Sequence, residues 1–352
     1  MGAMRAYIGG ATSGQGSPAS GIVIVDVDGP KITEVGRGAE QIGNPMYQAV
    51  SASGEVLYTV HETDPGLVSA WAVEDATLRP LGRPRPSGGT GPCHLSLHPG
   101  GGFLLVANYG NGTFAVLPVR VDGALGEAVA DVQLTGSGPV VSRQRSSHAH
   151  QVIVDPGEGP ARGHVLVTDL GADRGHRYLL DASTGELAEV DVANLAAGSG
   201  PRHLVVSGQH AYVAGELDST VTVLDLTTSP PAAVSTVSTV DPSARTGSAV
   251  SQPSAIRVSA DHRFLYVVNR GVDEIAVLTV DGPEVSLVGS VSSGGTHPRD
   301  LEVSPDGAYV FAANQFDDTV VSFAADPDSG LLTPTGDVFE TGSPANITFA
   351  PA

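Results

Sequence analysis

At 352 residues the chain could hold two ordinary domains, yet all-β folds commonly place well over ~200 residues in one unit. Its formal net charge of -20 repels phosphate backbones and anionic lipid, which argues against nucleic acid and membrane surfaces as partners. With 41% hydrophobic and only 16% charged residues, the chain can bury a large core, and a disordered chain is not expected.

Cys93 is the one cysteine, so neither an intramolecular disulfide nor a cysteine-based zinc cluster is expected. No run approaches the ~20 apolar residues of a membrane helix. The opening MGAMRAYIGGAT lacks the charged and apolar regions of a secretion signal, so a soluble cytoplasmic protein is expected. Met1 to Ala3 read as a tag remnant ahead of Met4. Lys31 is the single lysine among 18 basic residues, which makes arginines within motifs conspicuous.

In chain order, RAYIGGAT (5–12) and SGIVIVDVDG (20–29) read as strands. A unit GPCHLSLHPGGGFLLVANYGNGTFAVLPV follows at 91–119, and related units recur at 252–280 (QPSAIRVSADHRFLYVVNRGVDEIAVLTV) and 297–325 (HPRDLEVSPDGAYVFAANQFDDTVVSFAA). Each has a strand onset, a Gly- or Asp-based turn, a β-branched and aromatic strand, a polar tip and a third alternating strand. Period-2 alternation with closely spaced turn signals identifies antiparallel β. Onsets at Pro45, Pro92, His148, Pro201, Pro253, Pro298 and Pro344 are 45 to 56 residues apart, the spacing of propeller blades. The stretch 188–198 has a helical look but falls where a fourth strand is due. The tail SPANITFA (343–350) supplies a first strand, and the N-terminal segments supply the strands that should follow it. The expected fold is therefore all-β: one seven-bladed β-propeller over 1–352, four antiparallel strands per blade, closed by terminal strands sharing one blade. Closure removes exposed sheet edges.

Polar residues recur at one register. Two positions past each onset lie Tyr47, His94, His150, His203, Ala255, Asp300 and Asn346. The tips of the second strands carry His61/Glu62, Asn108/Tyr109, Asp169, Glu216, Asn269/Arg270 and Asn314/Gln315. Both sets should converge on one mouth of a central channel, rimmed by the long connections 136–148 and 241–252. An acid, a base and a fixed cation in one cavity are what acid–base chemistry needs. His94, His150, His203 and Asp300 are a conceivable nitrogen/oxygen metal set, but no HExxH motif exists, and no metal is expected. GSGPV and GTGPC lack the GxSxG elbow of a serine nucleophile.

Read together, GPCHLSLHPGGGFLLVANYGNGTFAVLPV, RQRSSHAHQVIVDP, VTDLGADR, GSGPRHLVV, GELDSTVTVLDL, RFLYVVNRG and HPRDLEVSPDGAYVFAANQ give a chain that resembles the bacterial 6-phosphogluconolactonase family of seven-bladed propellers, which includes the fungal carboxymuconate lactonizing enzymes. The resemblance runs from about residue 45 to the C-terminus. It implies catalysis by His150 (with His148 beside it), Arg202 and Glu216. It further points to Arg143, Gln144, Asp169, Arg174, His203, Asn269, Arg270, Arg299 and Gln315 as pocket neighbours, to which the ring position His94 is added. The chain departs from the family at Ser147, where Pro is usual, at Ala255, where Glu is usual, and at His176/Arg177.

The expected activity is hydrolysis of a sugar-acid lactone by general acid/base catalysis, without metal or cofactor. Arg202 would hold an anionic group, His150 would be the base, and Glu216 would orient it or protonate the leaving oxygen if burial raises its pKa. The alternatives are a cycloisomerase on a carboxylated small molecule and a non-catalytic binding propeller. The expected partner is a small anionic or lactone substrate, and the expected state a monomer or weak homodimer.

Overall fold

A computed structural model describes residues 2–13, 17–39, 42–157, 159–241 and 250–351. Every regular element among them is a strand. Six sheets form seven blades, whose innermost strands are Pro45–Val50, Pro92–Leu97, Ala149–Val154, Pro201–Ser207, Gln252–Val258, Pro298–Val303 and Pro344–Phe349, numbered blades 1 to 7 in that order. Blades 7 and 1 are joined in one nine-stranded sheet by a parallel bridge between Arg37 and Thr77. Blade 7 is composite: Pro344–Phe349 pairs with Met4–Gly10, which pairs with Ile22–Asp28 and then Lys31–Gly38. Ring closure by the two termini is as the sequence implies. The helical-looking stretch contains the outer strand Leu187–Asn194.

The turns explain the repeat. In SADHRF and SPDGAY, a serine bonds an aspartate two residues on: Ser259 Oγ to Asp261 Oδ1 and Ser304 Oγ to Asp306 Oδ1, each 2.6 Å. The same hydroxyls accept the N–H of Phe264 and Tyr309 where the next strand starts. His262 and Gly307 take the left-handed conformation (φ 62° and 74°) that closes each hairpin.

The apolar faces pair between neighbouring blades. Phe103, Leu105 and Phe114 of blade 2 pack on Val152, Val167 and Tyr178 of blade 3. Phe264, Tyr266 and Val268 of blade 5 pack on Leu301, Val310 and Phe323 of blade 6. Equivalent clusters occupy the other five interfaces. The outermost strands 284–292 and 332–340 alternate between exposed and half-buried positions, because one of their faces meets water.

One irregularity recurs in every blade. Close to its start, each innermost strand slips register against its neighbour: between Pro45 and Tyr47, Ala149 and Gln151, Pro201 and Leu204, Pro253 and Ile256, Pro298 and Asp300, and at the equivalent points of blades 2 and 7. A β-bulge re-aims the side chains within it. The bulged residues include Cys93, His150, Arg202, His203 and Arg299. Because each strand start lies beside the end of the second strand (Pro201 opposite Gly215, Pro298 opposite Asn314), the bulges and the second-strand tips share one end of the channel, the front mouth.

Candidate active site

At the front mouth Glu216 follows the strand His210–Gly215 and is 1% exposed. Its carboxylate lies among three guanidiniums from different parts of the ring. Arg270 Nη2, at the end of the second strand of blade 5, is 2.7 Å from Oε2. Arg143, from the connection before blade 3, bonds Oε1. Arg202, in the bulge of blade 4, has Nε 3.0 Å from Oε2. Burial alone would raise the Glu216 pKa, as the sequence reading allowed. Arg270 and Arg202 outweigh it and, with His150 and Arg143, hold the group well below the carboxylate range. Glu216 is therefore an anion at neutral pH and cannot protonate a leaving oxygen. Its depressed pKa removes the proton-donor role.

Arg202 is 3% exposed, and its Nε and Nη1 lack hydrogen-bond partners of suitable geometry. Burial and the like charge of Arg270 lower its pKa, with Glu216 opposing. A fourth guanidinium, Arg299, in the bulge of blade 6, pairs with Glu62 at 3.2 Å. Four guanidiniums and the two carboxylates they pair with, Glu216 and Glu62, thus meet at this mouth, with Asp169 and Asp273 on the backbone N–H groups of His148 and His297 beside them.

The two histidines of the SHAH motif differ. His148 is half-buried, its Nδ1 lies 2.7 Å from the Tyr109 carbonyl, and its ring stacks on Tyr109 at 4.4 Å and 15°. A carbonyl only accepts, so Nδ1 carries a hydrogen, and in the neutral ring this tautomer puts the lone pair on Nε2. His150 is 6% exposed and packs edge-on against Tyr109 and His203. Burial first, and the Arg202 charge second, hold it well below the imidazole range. From His150 an aromatic column continues along the axis: His203 at 5.4 Å, His94 a further 5.5 Å on, then Tyr47 at 4.3 Å. Burial pushes His94 down to about 3, and burial, with Arg202 next, holds His203 well below the usual value. Among the described residues no three His, Cys, Asp or Glu side chains are grouped to hold a metal ion.

The remaining expected site residues divide. Arg143, Arg202, Arg270 and Arg299 reach the mouth. Gln144 is fully buried and bonds Leu170 O, Asp173 and the N–H of Val140. Asn269 is fully buried and both bonds and is bonded by Thr239. Those two brace loops, their polar atoms engaged within the protein, and the expected role in holding substrate does not fit them. Asp169, also fully buried, accepts the N–H of His148 at 2.8 Å and of Gly171 at 3.0 Å, and so holds the histidine loop. Arg174 bonds the carbonyl of Thr135. Gln315 is buried, its N–H on the carbonyl of His297. His94 and His203 sit in the column.

The expectation of one polar ring at one mouth also fails for Asp300 and Asn346. Asn346 Nδ2 donates to Asp300 at 2.7 Å, and Asp300 also accepts from the N–H of Ile347 and from Arg257. These residues clasp the closing strand to blade 6. Of the two rim connections, 136–148 supplies Arg143, whereas 242–249 lie outside the described residues.

Two residues at the mouth were not singled out from the sequence. His297 stacks on Phe316 at 4.0 Å and 15°, and burial, with Arg270 and Arg299, pushes it down to about 3. An aromatic just past the Asn314/Gln315 tip and a histidine just before Pro298 were the available signals.

A family profile described as "Lactonase, 7-bladed beta-propeller" matches residues 5–349. The chain is 35% identical to the 6-phosphogluconolactonase of Bacillus subtilis over 306 residues, covering 84% of each. It is 28% identical to that of Formosa agariphila over 83% of this chain and 84% of the relative. The solved structure of the Pseudomonas aeruginosa periplasmic gluconolactonase superposes with a TM-score of 0.88 at 29% identity, over 99% of both chains. The chain belongs to the seven-bladed β-propeller lactonase family and is a lactone hydrolase.

Proposed function

We propose that the substrate is a sugar-acid lactone bearing a dianionic phosphate, of the 6-phosphogluconolactone type, opened by general acid/base catalysis with His148 as the base and no metal ion. The observation that carries this reading is Arg202, nearly fully buried with Nη1 unsatisfied, in a mouth where four guanidiniums gather. A buried, preorganised donor stabilises charge that develops in the transition state far better than water does. Clustered guanidiniums suit a phosphate dianion, whose oxygens match their forked donors. The names of the relatives agree with such a substrate.

In this mechanism the lone pair of His148 Nε2 takes a proton from water as its oxygen attacks the lactone carbonyl. Arg202 donates to the resulting oxyanion. The tetrahedral intermediate collapses, the ring C–O bond breaks, and the imidazolium returns its proton to the leaving oxygen. The product is the open hydroxy acid, which ionises to the carboxylate. Glu216 stays ionised throughout, fixing Arg143, Arg202 and Arg270 against mutual repulsion. His150, with its depressed basicity and buried ring, is a wall of the pocket in this scheme and not the base.

The test is a comparison of 6-phosphogluconolactone with gluconolactone, with proton release followed in weak buffer and spontaneous opening subtracted. The reading expects kcat/KM higher for the phosphorylated lactone by roughly 10²-fold or more, since remote binding energy is drawn on at the reacting centre. Equal values for the two lactones would remove the phosphate from the proposal. His148→Gln is expected to abolish turnover while the fold remains; retained turnover would remove the base.

A further inference from the structure

We propose that Tyr109 is a positioning residue for the catalytic base, setting the tautomer and the seat of His148 and coupling it to the arginine cage. The inference rests on the lactonase reading for its kinetic consequences, but its geometry stands apart from any substrate.

Tyr109 engages three parts of the mouth. Its carbonyl faces His148 Nδ1 at 2.7 Å, its ring lies parallel to the imidazole at 4.4 Å, and its phenol oxygen accepts from Arg143 Nη2 at 3.1 Å. The same arginine bonds Glu216, so a single side chain joins the base to the carboxylate that gathers the cations. The ring edge also meets His150 at 5.2 Å and 72°, closing the pocket wall on that side.

The turn carrying Tyr109 is built to hold the carbonyl still. The Tyr109 N–H bonds the Gly91 carbonyl at 3.0 Å, and the Gly110 N–H bonds the Thr90 carbonyl at 2.9 Å. The preceding Asn108 is fully buried, with Nδ2 on the Ser87 carbonyl and Thr113 Oγ1. A Cβ on Gly110 would lie 2.5 Å from Thr90 Oγ1 and 2.7 Å from the Thr90 carbonyl, so this close approach of two loops requires glycine. The NYGNG sequence is thus the mounting of the base.

The chemistry follows from what each group can do. The carbonyl, an obligate acceptor, keeps the hydrogen on Nδ1 and leaves Nε2 to accept a proton from water. Once the ring is protonated, the Nδ1–H bond becomes charge-assisted, and the tyrosine face lies against a cation. The phenol restrains Arg143, which touches no reacting atom in the mechanism above. Ring and phenol therefore have separable effects.

The test uses the full-length protein, with ¹⁵N-histidine correlation spectra for the tautomer and steady-state kinetics for Tyr109→Phe and Tyr109→Leu. The wild-type spectrum is expected to show His148 protonated on Nδ1 near neutral pH. Tyr109→Phe, which keeps the ring and the carbonyl, is expected to hold kcat within about twofold and raise KM roughly fivefold through the loosened Arg143. Tyr109→Leu, at an unchanged melting temperature, is expected to lower kcat by about tenfold or more, the phenylalanine variant being the conservative rescue. The proposal is overturned by hydrogen on Nε2 of His148 in the wild type, by wild-type kcat in Tyr109→Leu, or by a kcat loss in Tyr109→Phe as deep as that in the leucine variant. Should Tyr109→Leu fail to fold, the wild-type tautomer and the Tyr109→Phe split between KM and kcat still decide it. Absence of turnover on any lactone by the wild type, with the Nδ1–H tautomer present, would count against the lactonase reading and leave the positioning geometry in place.

Discussion

The two ends of the axial channel are close to electrostatic inversions of each other. At the front, one carboxylate, Glu216, is surrounded by Arg143, Arg202 and Arg270. Toward the rear, one guanidinium, Arg257, is caught between Asp300 at 3.2 Å and Glu302 at 2.9 Å, with the Tyr47 hydroxyl at 3.5 Å. The rear opens as a cavity of about 560 Å³ lined largely by aliphatic residues such as Val50, Leu97, Val206 and Val258. The difference is in what remains unsatisfied. Arg257 spends Nε, Nη1 and Nη2 on Glu302, the Ile256 carbonyl and Asp300, and Asp300 passes the link to Asn346 and Ile347 of the closing strand. Arg202 keeps Nη1 without a partner, while its Nε meets Glu216 at 3.0 Å outside hydrogen-bond geometry. A buried charge that is fully used serves the fold; one left with spare donors is available to a ligand.

The comparison can be stressed at several points. The largest effect should come from acid, which acts on the column joining the ends and on His61, buried against Ser69 and the Gly43 carbonyl. His61, His94, His150 and His203 are buried neutral, with pKa values held down to about 4 for His61, about 3 for His94, and well below normal for the other two. The unfolded chain takes up these protons from about pH 6.5 downward while the folded chain does not, so stability falls as pH drops through that window. Each histidine can cost up to ~1.4 kcal/mol per pH unit. Melting temperature against pH should therefore drop steeply between pH 6.5 and 4, and His94→Gln should flatten the slope. Glu216 acts in the same direction at lower pH: its depressed pKa adds stability that is present above the ordinary carboxylate value and is lost as pH falls from there toward the folded value, after the histidines have begun to titrate.

Next in size, Glu216→Gln leaves three guanidiniums without their shared anion. Chemical denaturation should show a loss of about 3–5 kcal/mol, with turnover lost as well. Arg202→Met separates chemistry from stability: kcat should fall about 10²–10³-fold, as when an oxyanion donor is removed, with a melting temperature close to wild type. The rear gives the converse. Arg257→Met should cost about 3 kcal/mol in denaturation, because Asp300 and Glu302 lose their cation, yet the folded protein should keep its kcat. A kcat loss there matching Arg202→Met would show that the ends are not independent. The smallest effect is expected for Arg299→Ala, whose partner Glu62 is partly exposed: KM should rise about tenfold or less at near-constant kcat.

Much of this was legible in the sequence because it is local. Alternating apolar residues and serine–aspartate turns announce each hairpin, and spare strands at the two ends announce the closure. His148, Arg202, Glu216 and Arg270 were legible as polar ends of apolar runs. Properties that depend on several blades at once were not. The ionisation of Glu216 is set by guanidiniums from the connection before blade 3 and from blades 4 and 5, and nothing in GELDS signals them. Asn269 looks like a pocket residue at a strand tip, but it is absorbed by Thr239 of the preceding blade. Asp300 and Asn346 occupy the register of His150 and His203, yet they face each other across the seam where the ring closes.

The repeated bulge has a consequence for how such a protein can change its substrate. Every blade presents one socket at the same height, and the contents of a socket can be exchanged without disturbing the ladders on either side. In this chain Cys93, His150, Arg202 with His203, and Arg299 fill the sockets of blades 2, 3, 4 and 6. Ser254 and Ala255 fill that of blade 5, Ser254 Oγ donating to the Pro298 carbonyl, and Met46 and Ala345 of blades 1 and 7 rest with Ala11 in a small apolar plug. The ring is thus a turret with interchangeable heads, and three of its stations stand idle.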